Sequence, residues 1–117
     1  MKMKSTTPYK KWDIILIPFP FTDLSAPKKR PALIISPDEN NTGLDIVIAL
    51  ITSNIEVKSK MGDYQIQEWE KANLPKPSLI RMKFATIDKT IIIKQLGRLS
   101  SKDIDNYKQE LSNFFSN

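Results

Sequence analysis

Residues 31–51 decide the fold: they read Pro31-Ala32-Leu33-Ile34-Ile35-Ser36, then the turn-forming segment Pro37-Asp38-Glu39-Asn40-Asn41-Thr42-Gly43 and, after Leu44, Asp45-Ile46-Val47-Ile48-Ala49-Leu50-Ile51. Runs rich in isoleucine and valine are typical of strands, and a cluster of Pro, Asp, Asn and Gly between them is typical of a chain reversal. The sequence therefore predicts two antiparallel neighbouring strands. Their apolar character is too continuous for a sheet with one wet face, so we expect burial on both faces, as in a small curled barrel.

Further strands are predicted on both sides of this hairpin. The first lies at Asp13–Ile17, and later ones lie at Asp63–Ile66, Ser78–Met82 and Ile91–Leu96, with Gly97 ending the sheet. The Pro-rich segment Asn73–Pro77 predicts an extended or turning path before the fifth strand.

One helix is predicted at the C-terminal end of the sequence. Ser100 is a suitable N-cap, Asp103 falls in the first turn, and an apolar stripe follows at helical spacing. Such a stripe could bind a partner, but packing on the barrel is the more frequent use, and we favour it. The stripe consists of Ile104, Tyr107, Leu111 and Phe114.

Length and composition limit the organisation of the chain. With 117 residues, 40% of them hydrophobic, we expect a single domain over residues 1–117, with residues 1–10 flexible. The longest apolar stretch, Ile14–Phe21, is too short to span a membrane, and the N-terminus lacks the apolar run of a secretory signal. We therefore expect a cytoplasmic protein.

Two absences restrict the chemistry. The chain contains no cysteine and no histidine, which excludes disulfides, thiolate nucleophiles, imidazole bases and the usual zinc ligands. Its aspartates are scattered without the spacing of a calcium loop, so we expect neither a metal nor another cofactor. The formal net charge of +5 favours an anionic partner.

Three blocks resemble the MazF/PemK family of toxin–antitoxin endoribonucleases. They are Trp12–Leu24, with its Pro-Phe-rich loop and a Thr-Asp pair, Lys28–Ser36, with Arg30-Pro31-Ala32, and Leu50-Ile51-Thr52-Ser53. The segments Pro77–Arg81 and Leu96–Ser100 also resemble later parts of the family. The resemblance implies a mainly β (α+β) fold, a small SH3-like curled antiparallel barrel of the CcdB/PemK type with a C-terminal helix.

The sequence departs from this family at the first strand. The family usually introduces that strand with Gly-Asp, whereas this chain has Trp12-Asp13. A tryptophan is conformationally more restricted than a glycine, and we expect the substitution to place an aromatic ring near the surface.

The resemblance also implies a reaction. It is the metal-independent cleavage of single-stranded RNA by attack of the ribose 2′-hydroxyl on the adjacent phosphate. Arg30 would stabilise the phosphoryl charge through two parallel hydrogen bonds and could donate a proton to the leaving oxygen, but an arginine side chain is protonated too persistently to be the base. Thr52 would bind a phosphoryl oxygen. Neighbouring strand residues point in opposite directions, so Ser53, the second possible donor, would face away from that phosphate.

Other residues are candidates for RNA binding rather than chemistry. Lys28 and Lys29 would contact backbone phosphates, although a solvated charge run is an alternative for this pair, and Arg81 and Lys83 would extend the same basic surface. Stacking of unpaired bases needs aromatic rings. Phe19, Phe21 and Trp69 are the candidates, with core packing favoured for the two phenylalanines.

The expected partners are single-stranded RNA, an acidic antitoxin that competes with it, and a second copy of the chain in a homodimer. The main alternative function is a non-catalytic nucleic-acid-binding module of the same fold. A gyrase-poisoning toxin of the same superfamily ranks lower, because that branch depends on a tryptophan close to the C-terminus. Here the tryptophans are Trp12 and Trp69, and the chain ends Phe114-Phe115-Ser116-Asn117.

Overall fold

The computed structural model of the protein describes residues 9–19, 28–55 and 60–116. Its described strands form one antiparallel sheet in the order β4-β5-β3-β2-β1-β6, curled into a half-barrel that carries a C-terminal helix. This confirms the predicted fold class. The bounds are β1 Asp13–Phe19, β2 Lys28–Ile34, β3 Asp45–Thr52, β4 Tyr64–Gln65, β5 Leu79–Asp88, β6 Lys94–Arg98 and α1 Ser101–Ser116.

The hairpin of β2 and β3 is at the centre of the sheet. The two strands are antiparallel neighbours, with Ala32 opposite Leu50 and Ile34 opposite Ile48, as the turn-forming residues predicted. In the turn, the Ser36 hydroxyl donates to the buried side chain of Asn41 and accepts the backbone N–H of Val47. These bonds satisfy polar groups that would otherwise be costly to bury.

Both faces of the sheet carry an apolar core, which confirms the expected burial on both sides. We call the two clusters the helix-side core and the opposite core. The helix-side core includes Ile14, Leu33, Ala49 and Ile80, covered by Tyr107 of α1. The opposite core uses the alternate positions of the same strands and consists of Ile15, Ile17, Ala32, Ile34, Ile46, Ile48 and Ile87.

Several predicted strand boundaries are wrong: β1 continues to Phe19 rather than Ile17, and β2 spans Lys28–Ile34 rather than Pro31–Ser36. Strand β5 continues to Asp88 rather than ending at Met82, because its second half pairs with β3 from Ala49 back to Asp45. Strand β6 begins at Lys94 rather than Ile91. The Asp88 side chain accepts the backbone N–H of Thr90 and caps a single 3-10 turn there. The sheet also runs one residue past Gly97, since Arg98 pairs with Asp13.

Helix α1 begins as the sequence predicts. The Ser100 hydroxyl accepts the backbone N–H of Asp103, as an N-cap does. The buried Asp103 carboxylate in turn accepts the hydroxyl of Tyr64 and the backbone N–H groups of Gln67 and Glu68. Burial and the bond to Asp103 raise the pKa of Tyr64. The helix is therefore tied to the segment after β4 by charge-assisted bonds.

The apolar stripe of α1 packs on the sheet. Ile104, Tyr107 and Leu111 belong to the helix-side core or pack against it, which confirms the core interpretation for them. The Tyr107 hydroxyl is buried and has no hydrogen-bond partner among the described residues. Burial raises the pKa of Tyr107.

The expectation of a surface ring at Trp12 is wrong. The indole is only 8% exposed and meets the Tyr107 ring edge-on, with 6.1 Å between ring centroids. Its backbone has φ +79°, in the left-handed region that favours glycine. The main chain is held there by bonds from Trp12 N to Ile34 O (2.8 Å) and from Leu99 N to Trp12 O (3.0 Å).

The predicted flexible N-terminus and the Pro-Phe-rich loop are described only in part. Residues 1–8 of the N-terminal segment, and residues 20–24 of the Pro-Phe-rich loop with Phe21, lie outside the described residues. Tyr9 packs against the opposite core, and the Lys10 N–H bonds to Asp13. In the described ranges, no helix is long and apolar enough to span a bilayer.

Candidate active site

Arg30 and Thr52 come from the central hairpin. Ala32 lies opposite Leu50, and continuing this register by two residues places Arg30 across from Thr52. Because strand side chains alternate, both then project from the face that carries Ala32 and Leu50. They line one cavity of ≈ 230 Å³, which we call the Thr52 cavity. Its described lining consists of Phe19, Arg30, Leu50, Ile51, Thr52, Asn54, Arg81 and Lys83.

The Thr52 hydroxyl has a fixed position. Its oxygen accepts the backbone N–H of Asn54 at 3.1 Å, a local turn that closes the end of β3. A hydroxyl that accepts one bond still has its own proton to donate. Thr52 is half-buried, so the proton can be directed to a ligand in the cavity. Asn54 was not predicted, and only its place after Thr52-Ser53 in the sequence could have indicated it.

The Arg30 guanidinium lies against the ring of Phe19, with 5.4 Å from Cζ to the ring centroid. This contact is within the range of a cation–π interaction and restrains the side chain. Within residues 9–19, 28–55 and 60–116, the guanidinium forms no ion pair or hydrogen bond. The five N–H groups of an arginine can serve an anion if they have no protein acceptor.

Arg81 and Lys83 enter the same cavity from β5, where the pairing with β3 is irregular between Ala49 and Ile51. Arg81 is paired with Asp63 at 3.4 Å, and the two side chains are only 12% and 5% exposed. Asp63 therefore neutralises much of the Arg81 charge, which the sequence did not indicate. Lys83 is exposed. Arg30 and Lys83 are thus the main sources of positive potential in the cavity.

A second cavity, of ≈ 280 Å³, also has Arg30 in its lining, and we call it the Ser53 cavity. Ser53 lines it, whereas its neighbour Thr52 lines the first cavity, so the two residues face different spaces as expected. Lys29 also lines the Ser53 cavity. Lys28 is exposed at the start of β2 and lines neither of the two cavities.

The structure does not bring Trp69 to these cavities. It is half-buried and packs against the helix-side core, next to the segment that contains Ala72 and Leu74. A ring held there is part of the protein interior. Trp69 is therefore not included in the candidate site.

The arrangement can bind an anion. The Thr52 cavity joins the cations of Arg30, Arg81 and Lys83 with a positioned hydroxyl, and no acidic residue is found among the described residues that line it. Two guanidinium N–H groups and one O–H could hold three oxygen atoms of a phosphoryl group. No group of three or more residues suited to metal ligation occurs within the described ranges.

The fold and this site define a class of small antiparallel β proteins with a C-terminal helix and a basic cavity at the ends of adjacent central strands. The chain belongs to the PemK-like, MazF-like toxins of type II toxin–antitoxin systems, since the sequence model of that family matches residues 10–115. A sequence comparison with curated proteins finds no match.

Solved structures of that class have a similar fold. One is an endoribonuclease from a mycobacterial species in complex with its cognate antitoxin, with a TM-score of 0.72, 14% identity and coverage of 95% of this chain and 96% of the other. For the toxin MazF-mt6 from Mycobacterium tuberculosis, the TM-score is 0.70 and the identity 20%, with coverage of 89% of this chain and 96% of the other. For a chain of the MazE–MazF complex from Deinococcus radiodurans, the TM-score is 0.70 and the identity 13%, with coverage of 94% of this chain and 97% of the other. At these identities the likeness supports the fold.

Proposed function

We propose that this toxin is an endoribonuclease that cleaves single-stranded RNA without a metal, through attack of the ribose 2′-hydroxyl on the adjacent phosphate. The observation that carries the proposal is the convergence of Arg30 and Thr52 on one cavity with no described acidic lining. Family membership and structural neighbours that are named endoribonucleases support it further.

The reaction balances without a cofactor. The 2′-oxygen forms a bond to phosphorus as its proton passes to solvent water. The bond from phosphorus to the 5′-oxygen breaks as that oxygen gains a proton from Arg30, which solvent then reprotonates. The products are a cyclic phosphate and a 5′-hydroxyl. Arg30 donates two hydrogen bonds to the phosphoryl oxygens and Thr52 donates one, so both stabilise the charge that grows in the transition state. Arg30 would also protonate the leaving oxygen, and no residue is assigned as the base.

The remaining residues bind and position the RNA. Lys83, Lys28 and Lys29 contact backbone phosphates, and Arg81 contributes less because Asp63 neutralises it. Phe19 restrains Arg30 through the ring contact. A single domain over residues 1–117 would act in the cytoplasm as a homodimer. An acidic antitoxin would compete with RNA for the basic cavity.

The proposal is tested by incubating labelled single-stranded RNA with the protein in excess chelator. Wild-type protein should leave 5′-hydroxyl ends, detected by direct phosphorylation of the fragments. Arg30→Ala should lower kcat by at least about 10²–10³-fold, the usual effect of losing a donor to a transition-state oxyanion. Lys108→Ala, a change at an exposed helix residue, is the matched control and should leave the rate unchanged. RNA that wild-type protein binds but leaves intact would indicate the binding module instead.

A further inference from the structure

The ion pair between Asp63 and Arg81 has no role in the chemical step proposed above. Arg81 lines the Thr52 cavity, whereas Asp63 is not among the described residues that line it. The distance from Arg81 Nη1 to Asp63 Oδ2 is 3.4 Å, and both side chains are nearly buried. A carboxylate beside a basic cavity weakens the attraction of that cavity for an anion. Asp63 can therefore assist the reaction only through short-range geometry.

The sheet brings the two residues together on the face that carries Thr52. Leu79 of β5 lies opposite Gln65 of β4 and opposite Thr52 of β3, so these three side chains share one face. Side chains alternate along a strand, and two residues further along this pairing Asp63 and Arg81 lie opposite each other on the same face. Backbone pairing thus places the Asp63 carboxylate next to the guanidinium.

The turn before β4 holds Asp63 in place. The Asp63 carboxylate accepts the backbone N–H of Lys60 at 2.8 Å, and the Asp63 N–H donates to the Lys60 carbonyl at 3.0 Å. Gly62 in this turn has φ +87°, and a Cβ there would lie 2.5 Å from Met82 Cγ and 2.9 Å from Phe114 Cδ1. The turn is therefore packed against β5 and α1 and requires glycine. The carboxylate has its position before any RNA binds.

An anchored guanidinium has a defined direction. The group is planar and carries five N–H donors in a fixed arrangement. The contact with Asp63 is made through Nη1, so it restrains the plane in which the remaining donors of Arg81 lie. An arginine without such a partner samples several rotamers and has to be ordered during the reaction. Arg30 is restrained in a comparable way by its contact with the Phe19 ring.

We propose that Asp63 is a positioning residue that directs the Arg81 guanidinium toward the phosphoryl group held by Arg30 and Thr52. The inference rests on the proposed function and adds a residue to it. Arg81 then donates to a phosphoryl oxygen, and this bond strengthens as negative charge grows on that oxygen in the transition state. Since Asp63 neutralises much of the Arg81 charge, the pair adds little to RNA affinity and acts mainly on the rate.

The test separates the rate from the affinity. Asp63→Asn keeps the size of the side chain and can still accept the Lys60 N–H, but it removes the charge that holds Arg81. Asp105→Asn, the same change at an exposed position of α1, is the matched control. Initial rates of cleavage of a labelled single-stranded RNA, measured over a range of RNA concentrations in excess chelator, give kcat and KM for each protein. Circular dichroism checks that each variant is folded.

Asp63→Asn should lower kcat at least about 10-fold, because a misplacement of about 1 Å in a catalytic group can lower the rate about 100-fold. Its KM should not rise, since the change removes a negative charge beside the cavity. Asp105→Asn should leave kcat and KM unchanged. Arg81→Lys keeps the positive charge but lacks the planar fork, so it should also lower kcat at least about 10-fold. This second variant decides the matter if Asp63→Asn does not fold.

A double variant distinguishes positioning from a structural role of Asp63. In Arg81→Ala, Asp63 has no guanidinium to direct, and its carboxylate only repels the phosphate. Adding Asp63→Asn to Arg81→Ala should therefore raise kcat or leave it unchanged. If Asp63 only stabilised its turn, the same addition would lower kcat by the factor found in the wild-type background.

The two levels of the proposal fail differently. Cleavage by wild type combined with a wild-type kcat in folded Asp63→Asn, or in Arg81→Lys, would overturn the positioning role and leave the endoribonuclease standing. An equal fall of kcat on adding Asp63→Asn to wild type and to Arg81→Ala would do the same. Intact RNA after prolonged incubation with wild type would overturn the endoribonuclease, and the positioning role with it.

Discussion

Replacing Trp12 by alanine and by glycine separates two properties of this residue, its buried ring and its left-handed backbone. Both changes remove the indole, which is 8% exposed in the wild type. Only alanine keeps a Cβ at φ +79°. At most positions glycine is the less stable of the two, because it loses more conformational freedom on folding. At Trp12 we expect the opposite order.

The magnitude follows from the geometry. A buried aromatic ring covers about 150–250 Å², which at about 25 cal/mol per Å² corresponds to a loss of about 4–6 kcal/mol in either variant. A residue with a Cβ in the left-handed region lowers the free energy of unfolding by about 1–2 kcal/mol through steric strain. Glycine lowers it by about 0.5–1 kcal/mol, because its unfolded chain has more conformational freedom to lose on folding. Trp12→Gly should therefore be more stable than Trp12→Ala by about 0.5–1 kcal/mol.

The assay is urea unfolding followed by far-UV circular dichroism at low temperature. Ala85→Gly is the matched control, because Ala85 lies within β5 and has no positive φ. That change should destabilise the protein by about 0.5–1 kcal/mol. If Trp12→Ala were as stable as Trp12→Gly while the control lost stability, the backbone argument would be refuted.

Other predictions concern buried polar groups. Tyr107→Phe removes a buried hydroxyl without a described partner and should raise the free energy of unfolding by about 1 kcal/mol. Tyr64→Phe deprives Asp103 of a donor and should lower the free energy of unfolding by about 1–3 kcal/mol. A Tyr107→Phe variant less stable than wild type would contradict the first prediction. Because burial raises the pKa of Tyr107, the folded state keeps a proton that the unfolded state loses. The free energy of unfolding of the wild type should therefore fall as the pH rises above about 10. In Tyr107→Phe, its slope against pH should be smaller by up to about 1.4 kcal/mol per pH unit, measured by urea unfolding from pH 8 to 12. Asp63→Asn should release Arg81 and make the dependence of RNA affinity on salt steeper by about 0.7 in log–log slope; an unchanged slope would show that Arg81 does not reach the phosphates.

The sequence predicted those parts of the fold that depend on local pattern. The hairpin of β2 and β3 follows from two β-branched runs around a dense turn, and α1 follows from Ser100, Asp103 and a stripe of helical period. The second half of β5 was missed because its residues are mixed, and the pairing with β3 that makes it a strand is a tertiary interaction. The burial of Trp12 was missed for a similar reason, since Tyr107 is far away in sequence.

The candidate site depended more on resemblance than on pattern. Composition excluded histidine and thiol chemistry, but only the family motif selected Arg30 and Thr52 from other basic and hydroxyl residues. The pairing of Arg81 with Asp63 is a contact between separate segments, so no local signal could reveal it. Trp69 had the right chemistry for stacking, and its distance from the cavities could be learned only from the fold.

The alternation that builds the opposite core also builds the site. Along β2, Ile34 and Ala32 belong to that core, and Arg30 is the next residue of the same parity; along β3, Ile48 and Leu50 lead in the same way to Thr52. Cavity and core therefore share one strand register. A slip of β2 by one residue would move each of its core side chains to the other face of the sheet and turn Arg30 away from Thr52. Selection for a buried core thus also holds the guanidinium opposite the hydroxyl, and this explains how a site without histidine or metal can be positioned by two short strands.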